Sequence, residues 1–94
     1  MSTSNVIKMP KRFDYSAHQE FLADLASALE GNETRLVVLD CSQLDYIDSA
    51  GIGLLVLCHK KAEAENAKIS LIHLKASARD ILYLANLQKL IDIK

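Results

Sequence analysis

Residues 35–58 read RLVVLDCSQLDYIDSAGIGLLVLC: an apolar run, a polar loop and a second apolar run. The first run, Arg35 to Cys41, is continuous and rich in β-branched residues, a pattern that predicts a buried strand of a parallel sheet rather than a half-exposed one. Ser42 to Asp48 is the connecting loop. A helix is expected from Ser49 to about Glu65, with Asn66 able to supply a left-handed cap. Asp48-Ser49-Ala50-Gly51 thus falls where a loop opens onto a helix, and there backbone N–H groups and the helix dipole favour negative charge. A phosphate on Ser49 would be tolerated.

Working outward, Val6-Ile7-Lys8-Met9 can form a short strand, which Pro10 stops or confines to a sheet edge. Residues 1 to 4 are polar and expected to fray. Ser16 followed by Gln19 is a capping-box pattern. Phe21, Leu22, Leu25, Ala26 and Leu29 then repeat at helical spacing until Gly31 ends the run. Downstream, Lys68 to Leu74 alternates as a strand, with Ile69 and Leu71 on one side and Ser70 and Ile72 on the other. Ser77 is placed to cap a helix carrying Ile81, Leu82, Leu84 and Ala85, with Asn86 near its end. Leu90 to Ile93 makes a last short strand. The alternation of strands and helices argues for an α/β fold: one domain over residues 1–94, a mainly parallel sheet of about four strands, right-handed crossovers and flanking helices.

Composition narrows the function. Eleven basic residues against twelve acidic ones, a net charge of −1, leave no electrostatic footprint for nucleic acid or an anionic membrane. The partner expected is another protein. Cys41 and Cys58 lie within or beside apolar stretches without metal-ligand spacing and read as buried thiols in a reducing compartment. The amino terminus lacks a signal-peptide core, and the longest apolar run is far short of the ~20 residues that span a bilayer, so a cytoplasmic location is the expectation. His18, His59 and His73 have no spacing suited to a metal and read as surface or strand-edge residues. Lys8, Lys11 and Arg12 read as solvated surface, and Phe13 and Tyr15 as an apolar plug beneath the first helix.

Ligands of open α/β sheets gather at the carboxyl ends of the strands, which makes the loop of Asp40, Asp45, Asp48 and Ser49 the candidate site. Ser49 can be a phosphoacceptor. The aspartates could instead hold Mg²⁺, although such a site draws carboxylates from several strand ends. A nucleophilic Ser49 would need a histidine and a Gly-x-Ser-x-Gly elbow that the chain lacks. The plainest alternative is that Asp48 or Ser49 only caps the helix. The helix that follows is apolar all round in its first half (Ile52, Leu54, Leu55, Val56, Leu57), so part of it must be covered by the fold or by a partner. Gly51 and Gly53 weaken the helix and mark a possible close approach of another backbone.

The run Val37-Val38-Leu39-Asp40-Cys41-Ser42, then Leu44, Ile47 and Asp48-Ser49-Ala50-Gly51-Ile52-Gly53-Leu54-Leu55, resembles the signature of the STAS domain found in bacterial anti-sigma-factor antagonists. Arg12-Phe13-Asp14 before Ser16-Ala17-His18, and Leu71 with Ser77-Ala78-Arg79-Asp80-Ile81-Leu82 and Leu87, extend the resemblance over residues 6–93. It departs from the family in leaving little room for an additional amino-terminal strand, in reading Pro10-Lys11 where a glycine is usual, and in ending without the last helix. The resemblance implies a non-enzymatic protein without cofactor or metal. A serine kinase that is also the anti-sigma factor would phosphorylate Ser49, and a PP2C-type phosphatase would reverse the modification. Asp14, Asp48, Ser49, Ala50, Gly51, Ile52, Gly53 and Val56 are the expected partner-binding residues. A constitutive interaction subunit of a lipid- or anion-transport complex is the alternative the family offers.

Overall fold

The computed structural model describes residues 6–30 and 36–94. Among the described residues nine regular elements follow in order: β1 (Val6–Lys8), β2 (Arg12–Phe13), α1 (His18–Leu29), β3 (Leu36–Asp40), β4 (Tyr46–Ile47), α2 (Ser49–Ala64), β5 (Lys68–Ile72), α3 (Ala76–Leu84) and β6 (Asp92–Ile93). Short 3-10 turns at Tyr15–Ala17 and Leu87–Lys89 complete the list. Four strands form a parallel sheet in the order β1-β3-β5-β6. The expected α/β architecture is therefore present, with β1 on an edge as Pro10 requires.

The register explains the core. Ile7, Leu39, Leu71 and Ile93 form one row across the sheet, and Val37 pairs with Ile69. Except for Ile93, which packs against the cluster half-buried, these side chains are buried with Phe21 and Leu25 of α1, Leu54, Leu55, Cys58 and Ala62 of α2, and Ala78 and Leu82 of α3. All three helices thus cover the same face of the sheet. The intervening row, Val6, Val38, Ser70 and Asp92, faces away from them. Ser70, although buried, donates its hydroxyl to Asp92 at 3.2 Å.

This arrangement corrects the reading of β3 as buried on both faces. Val37 and Leu39 are fully buried, but Leu36, Val38 and Asp40 are only half so. A continuous apolar run does not say on how many sides it is covered; the placement of the crossovers does. Two helix starts also differ from expectation. Ser16 makes no cap on α1, whose boundary residue is Ala17; its N–H and hydroxyl both turn back to Asp14. Ser77 lies inside α3, which starts from Lys75 without a side-chain cap.

The left-handed positions Asn66 and Asn86 fall where the helix ends were expected, with φ of 60° and 62°. The third left-handed residue, His73, follows the last residue of β5, Ile72, so the strand stops two residues short of the expected Leu74. Gly31, Arg35 and residues 1–4, on which further expectations rested, lie outside the described residues. Both cysteines are buried and free, and desolvation pushes each thiol up to about 12, with the Asp40 charge adding to the effect at Cys41. Among the described residues no helix is long and apolar enough to cross a membrane.

Candidate functional site

The carboxyl ends of β1 and β3 lead into a feature too short to appear as a sequence pattern. Arg12 pairs with Tyr46 and Phe13 with Ile47, making a two-stranded parallel sheet from β2 and β4. The Lys11 carbonyl accepts from the N–H groups of both Asp45 and Tyr46, at 2.8 and 3.0 Å. Phe13 is the expected plug: fully buried, it meets Phe21 edge-on with ring centroids 4.9 Å apart. This small sheet joins the entrance of α1 to the entrance of α2.

Gly51 makes that junction possible. A Cβ at this position would lie 2.0 Å from the Phe13 carbonyl oxygen and 2.9 Å from Cγ1 of Ile47. Only a residue without a side chain lets the β2 backbone come so close to the first turn of α2. Asp14 follows Phe13 in the chain, one residue beyond this close approach. Gly53 behaves differently, because a Cβ there would meet nothing within 4 Å. The expectation of a close backbone approach holds within this chain for Gly51 and not for Gly53.

At the head of α2, the Asp48 carboxylate accepts from the Gly51 N–H at 2.9 Å, and its carbonyl accepts the Ile52 N–H at 2.9 Å. Asp48 is therefore the N-cap. Ser49 and Ala50 occupy the first helical turn and are exposed. Their N–H groups belong to the set that a helix start leaves without intrahelical partners. The serine hydroxyl is open to an incoming reagent, and the turn beneath it is held by Asp48.

Asp14 is equally well held. Its Oδ1 accepts from the Ser16 N–H at 3.0 Å and the Ser16 hydroxyl at 2.5 Å, and Oδ2 lies 3.6 Å from Nε of Arg12. The Ser16 hydroxyl, chiefly, and the Arg12 charge keep this carboxyl below the usual range. The Arg12 guanidinium also sits over the Tyr46 ring, 4.4 Å from its centroid.

The three loop aspartates do separate work. Asp40 accepts from the Ser42 N–H at 3.0 Å, which lowers its pKa. Asp45 forms an ion pair with Lys75 at the start of α3, which lowers its pKa as well. Asp48 is the cap. Each carboxylate thus has a local partner of its own.

The apolar half of α2 divides into two sides. Leu54, Leu55 and Cys58 are buried, and Ile52 and Val56 are half-buried against the core. The side open to solvent carries Ser49, Ala50, Gly53 and Leu57, of which Leu57 is 37% exposed. Leu57 was thus missing from the expected binding residues, although its spacing of eight from Ser49 places it on the same side of the helix. Arg12 and Tyr46 were missing too, because no periodicity signals a strand of two residues. A groove of about 550 Å³ between α1 and α2 is lined by other residues, including Leu22, Leu25, Leu29 and Lys61.

Comparison with known proteins gives a consistent picture. A family model described as "Mlab, STAS domain" matches residues 2–92. A STAS-domain containing protein of Pseudomonas aeruginosa is 37% identical over 87 residues, spanning 93% of this chain and 84% of that protein. BtrV of Bordetella bronchiseptica, named as a candidate anti-sigma factor antagonist, is 39% identical over 67 residues, 70% of this chain and 57% of BtrV. Among solved structures, the anti-sigma factor antagonist SpoIIAA of Bacillus in its unphosphorylated form superposes with a TM-score of 0.74 at 19% identity, covering 95% of this chain and 77% of that one. Its phosphorylated form gives 0.66 at 19% identity, over 95% and 80%.

Proposed function

The chain belongs to the STAS domain family, and from that premise we propose that it is an anti-sigma-factor antagonist whose binding to a serine kinase is switched off by phosphorylation of Ser49. The observation that carries the reading is the exposed Ser49 on the first turn of α2, with Asp48 capping beneath it. The likeness to BtrV, named as a candidate anti-sigma factor antagonist, supports it, and SpoIIAA, known in unphosphorylated and phosphorylated forms, shares the fold. In this reading the protein is substrate and ligand of its regulators and catalyses nothing itself.

The chemistry is a single exchange. The Ser49 oxygen takes the γ-phosphoryl group of ATP on the kinase, ADP leaves and the hydroxyl proton is released. A PP2C-type phosphatase restores the serine by hydrolysis. Phosphorylation adds about −1.5 to −2 charges to a turn that already carries the neighbouring Asp48 carboxylate. The helix amino terminus accommodates that charge in the free protein, whereas a partner surface fitted to a neutral serine must desolvate or repel it. Release of the partner then requires no refolding.

Incubation with the cognate kinase and ATP, read by intact mass, is expected to add one phosphate to the wild type and none to Ser49→Ala. In a titration, Ser49→Ala should bind the kinase as the unmodified protein does and Ser49→Asp poorly. Equal affinity of wild type and Ser49→Asp would remove the switch. Binding without any phosphate transfer would point instead to a constitutive interaction subunit of a transport complex.

A further inference from the structure

Resting on Ser49 as the acceptor, we propose that Arg12 is a built-in receiver for the phosphate: once Ser49 is modified, the Arg12 guanidinium leaves Asp14 and binds the phosphoryl oxygens. The register of β2 on β4 sets Arg12 beside Tyr46, three residues before Ser49. Its Nε points to Asp14, and the residue preceding Asp14 abuts Gly51 through its carbonyl. The cation therefore lies along the strand pair that feeds directly into the phosphoacceptor turn.

Three features fit this exchange. The contact to Asp14 is long, 3.6 Å, involves one nitrogen and leaves the Arg12 side chain 66% exposed. Such a pair is weak, while a phosphate offers more charge and a bidentate match to the guanidinium fork. Asp14 keeps two hydrogen bonds from Ser16 when Arg12 departs, so no carboxylate is stranded. The Tyr46 ring supports one face of the guanidinium and leaves its edge available. Phosphorylation would then alter the surface twice, by charging Ser49 and by uncovering Asp14. The Asp48 cap and the Asp45–Lys75 pair do not involve Arg12 and are unchanged by its substitution.

Phosphoserine encoded genetically at position 49 tests this without any kinase, so failure of the receiver is distinguishable from failure of the switch. A ³¹P titration of the isolated protein should give a second phosphate pKa lowered by about half a unit or more from its ordinary value of about 6. R12Q should raise it towards the ordinary value by removing the Arg12 share, and R12K should fall between, since a point charge lacks the fork. The Arg12 Nε resonance should shift between the serine and phosphoserine proteins. Unmodified R12Q loses only an exposed ion pair and ring contact and should unfold cooperatively within a few degrees of the wild type, which separates the effect from folding. An identical phosphate pKa in wild type and R12Q would overturn the proposal and leave the helix terminus alone holding the charge.

Discussion

Gly51 and Gly53 lie two residues apart on α2, and the helix turns one inward and the other to solvent. At Gly51 the missing side chain is a requirement of this chain's own packing, because the Phe13 carbonyl occupies the place of a Cβ. At Gly53 the space is open and the backbone is ordinary helix, so the glycine only weakens it. The same split runs through the neighbouring residues. Leu54, Leu55 and Cys58 hold the inner side, while Ser49, Ala50 and Leu57 present the outer one. One side of two helical turns joins the sheet to the β2–β4 pair, and the other remains free for recognition.

Substitutions can break this contrast. The largest effect is expected for Gly51→Ala, where a new methyl group collides with backbone and cannot be relieved by a side-chain rotation; destabilisation by about 3 kcal/mol or more is expected in urea unfolding. A loss below about 1 kcal/mol there would show that the β2–β4 junction yields easily. Leu55→Ala, at a position 1% exposed, should cost about 2–5 kcal/mol in the same measurement. Asp48→Ala removes the N-cap bond to Gly51 and should cost about 1 kcal/mol.

The outer side should respond in the opposite sense. Gly53→Ala is expected to raise stability by about 0.5–1 kcal/mol. Leu57→Ser should leave the melting temperature within a few degrees of wild type while weakening capture of the partner kinase; a large fall in melting temperature would assign Leu57 to the core. The smallest effect concerns acid. Because the folded pKa of Asp14 is depressed, its bonds to Ser16 and Arg12 stabilise the fold above the ordinary carboxylate pKa and are lost as pH falls through the folded value. Asp14→Asn should therefore flatten the acid limb of stability against pH, seen by comparing melting temperatures between neutral pH and pH 3.

How far the chain could be read in advance followed the length of each pattern. The sixteen residues of α2 carry a cap, an apolar block and a left-handed stop, and each of these is visible from neighbours in sequence. The pairs Arg12–Phe13 and Tyr46–Ile47 are too short for any periodicity, and they meet across more than thirty intervening residues. Ser16 has the right spacing for a capping box, yet Asp14 competes for it through a shorter local loop. Ile52 and Val56 belong to the apolar half that either the fold or a partner had to cover, and both pack half-buried against the core; spacing alone does not say which residues of an all-apolar helix face outward.

The sequence by itself determined the alternation of strands and helices, the head of α2 at Asp48 and the position of Ser49 upon it. These depend on contacts within a few residues, whose energetics composition and spacing reveal. Tertiary structure alone decided that one face of the sheet is covered by all three helices described, that the backbone of β2 meets the first turn of α2 at Gly51, and that Leu57, rather than Ile52, is the large apolar residue exposed on that helix. Those outcomes depend on which backbones approach one another. The closest of them, Phe13 against Gly51, joins segments that the sequence keeps far apart.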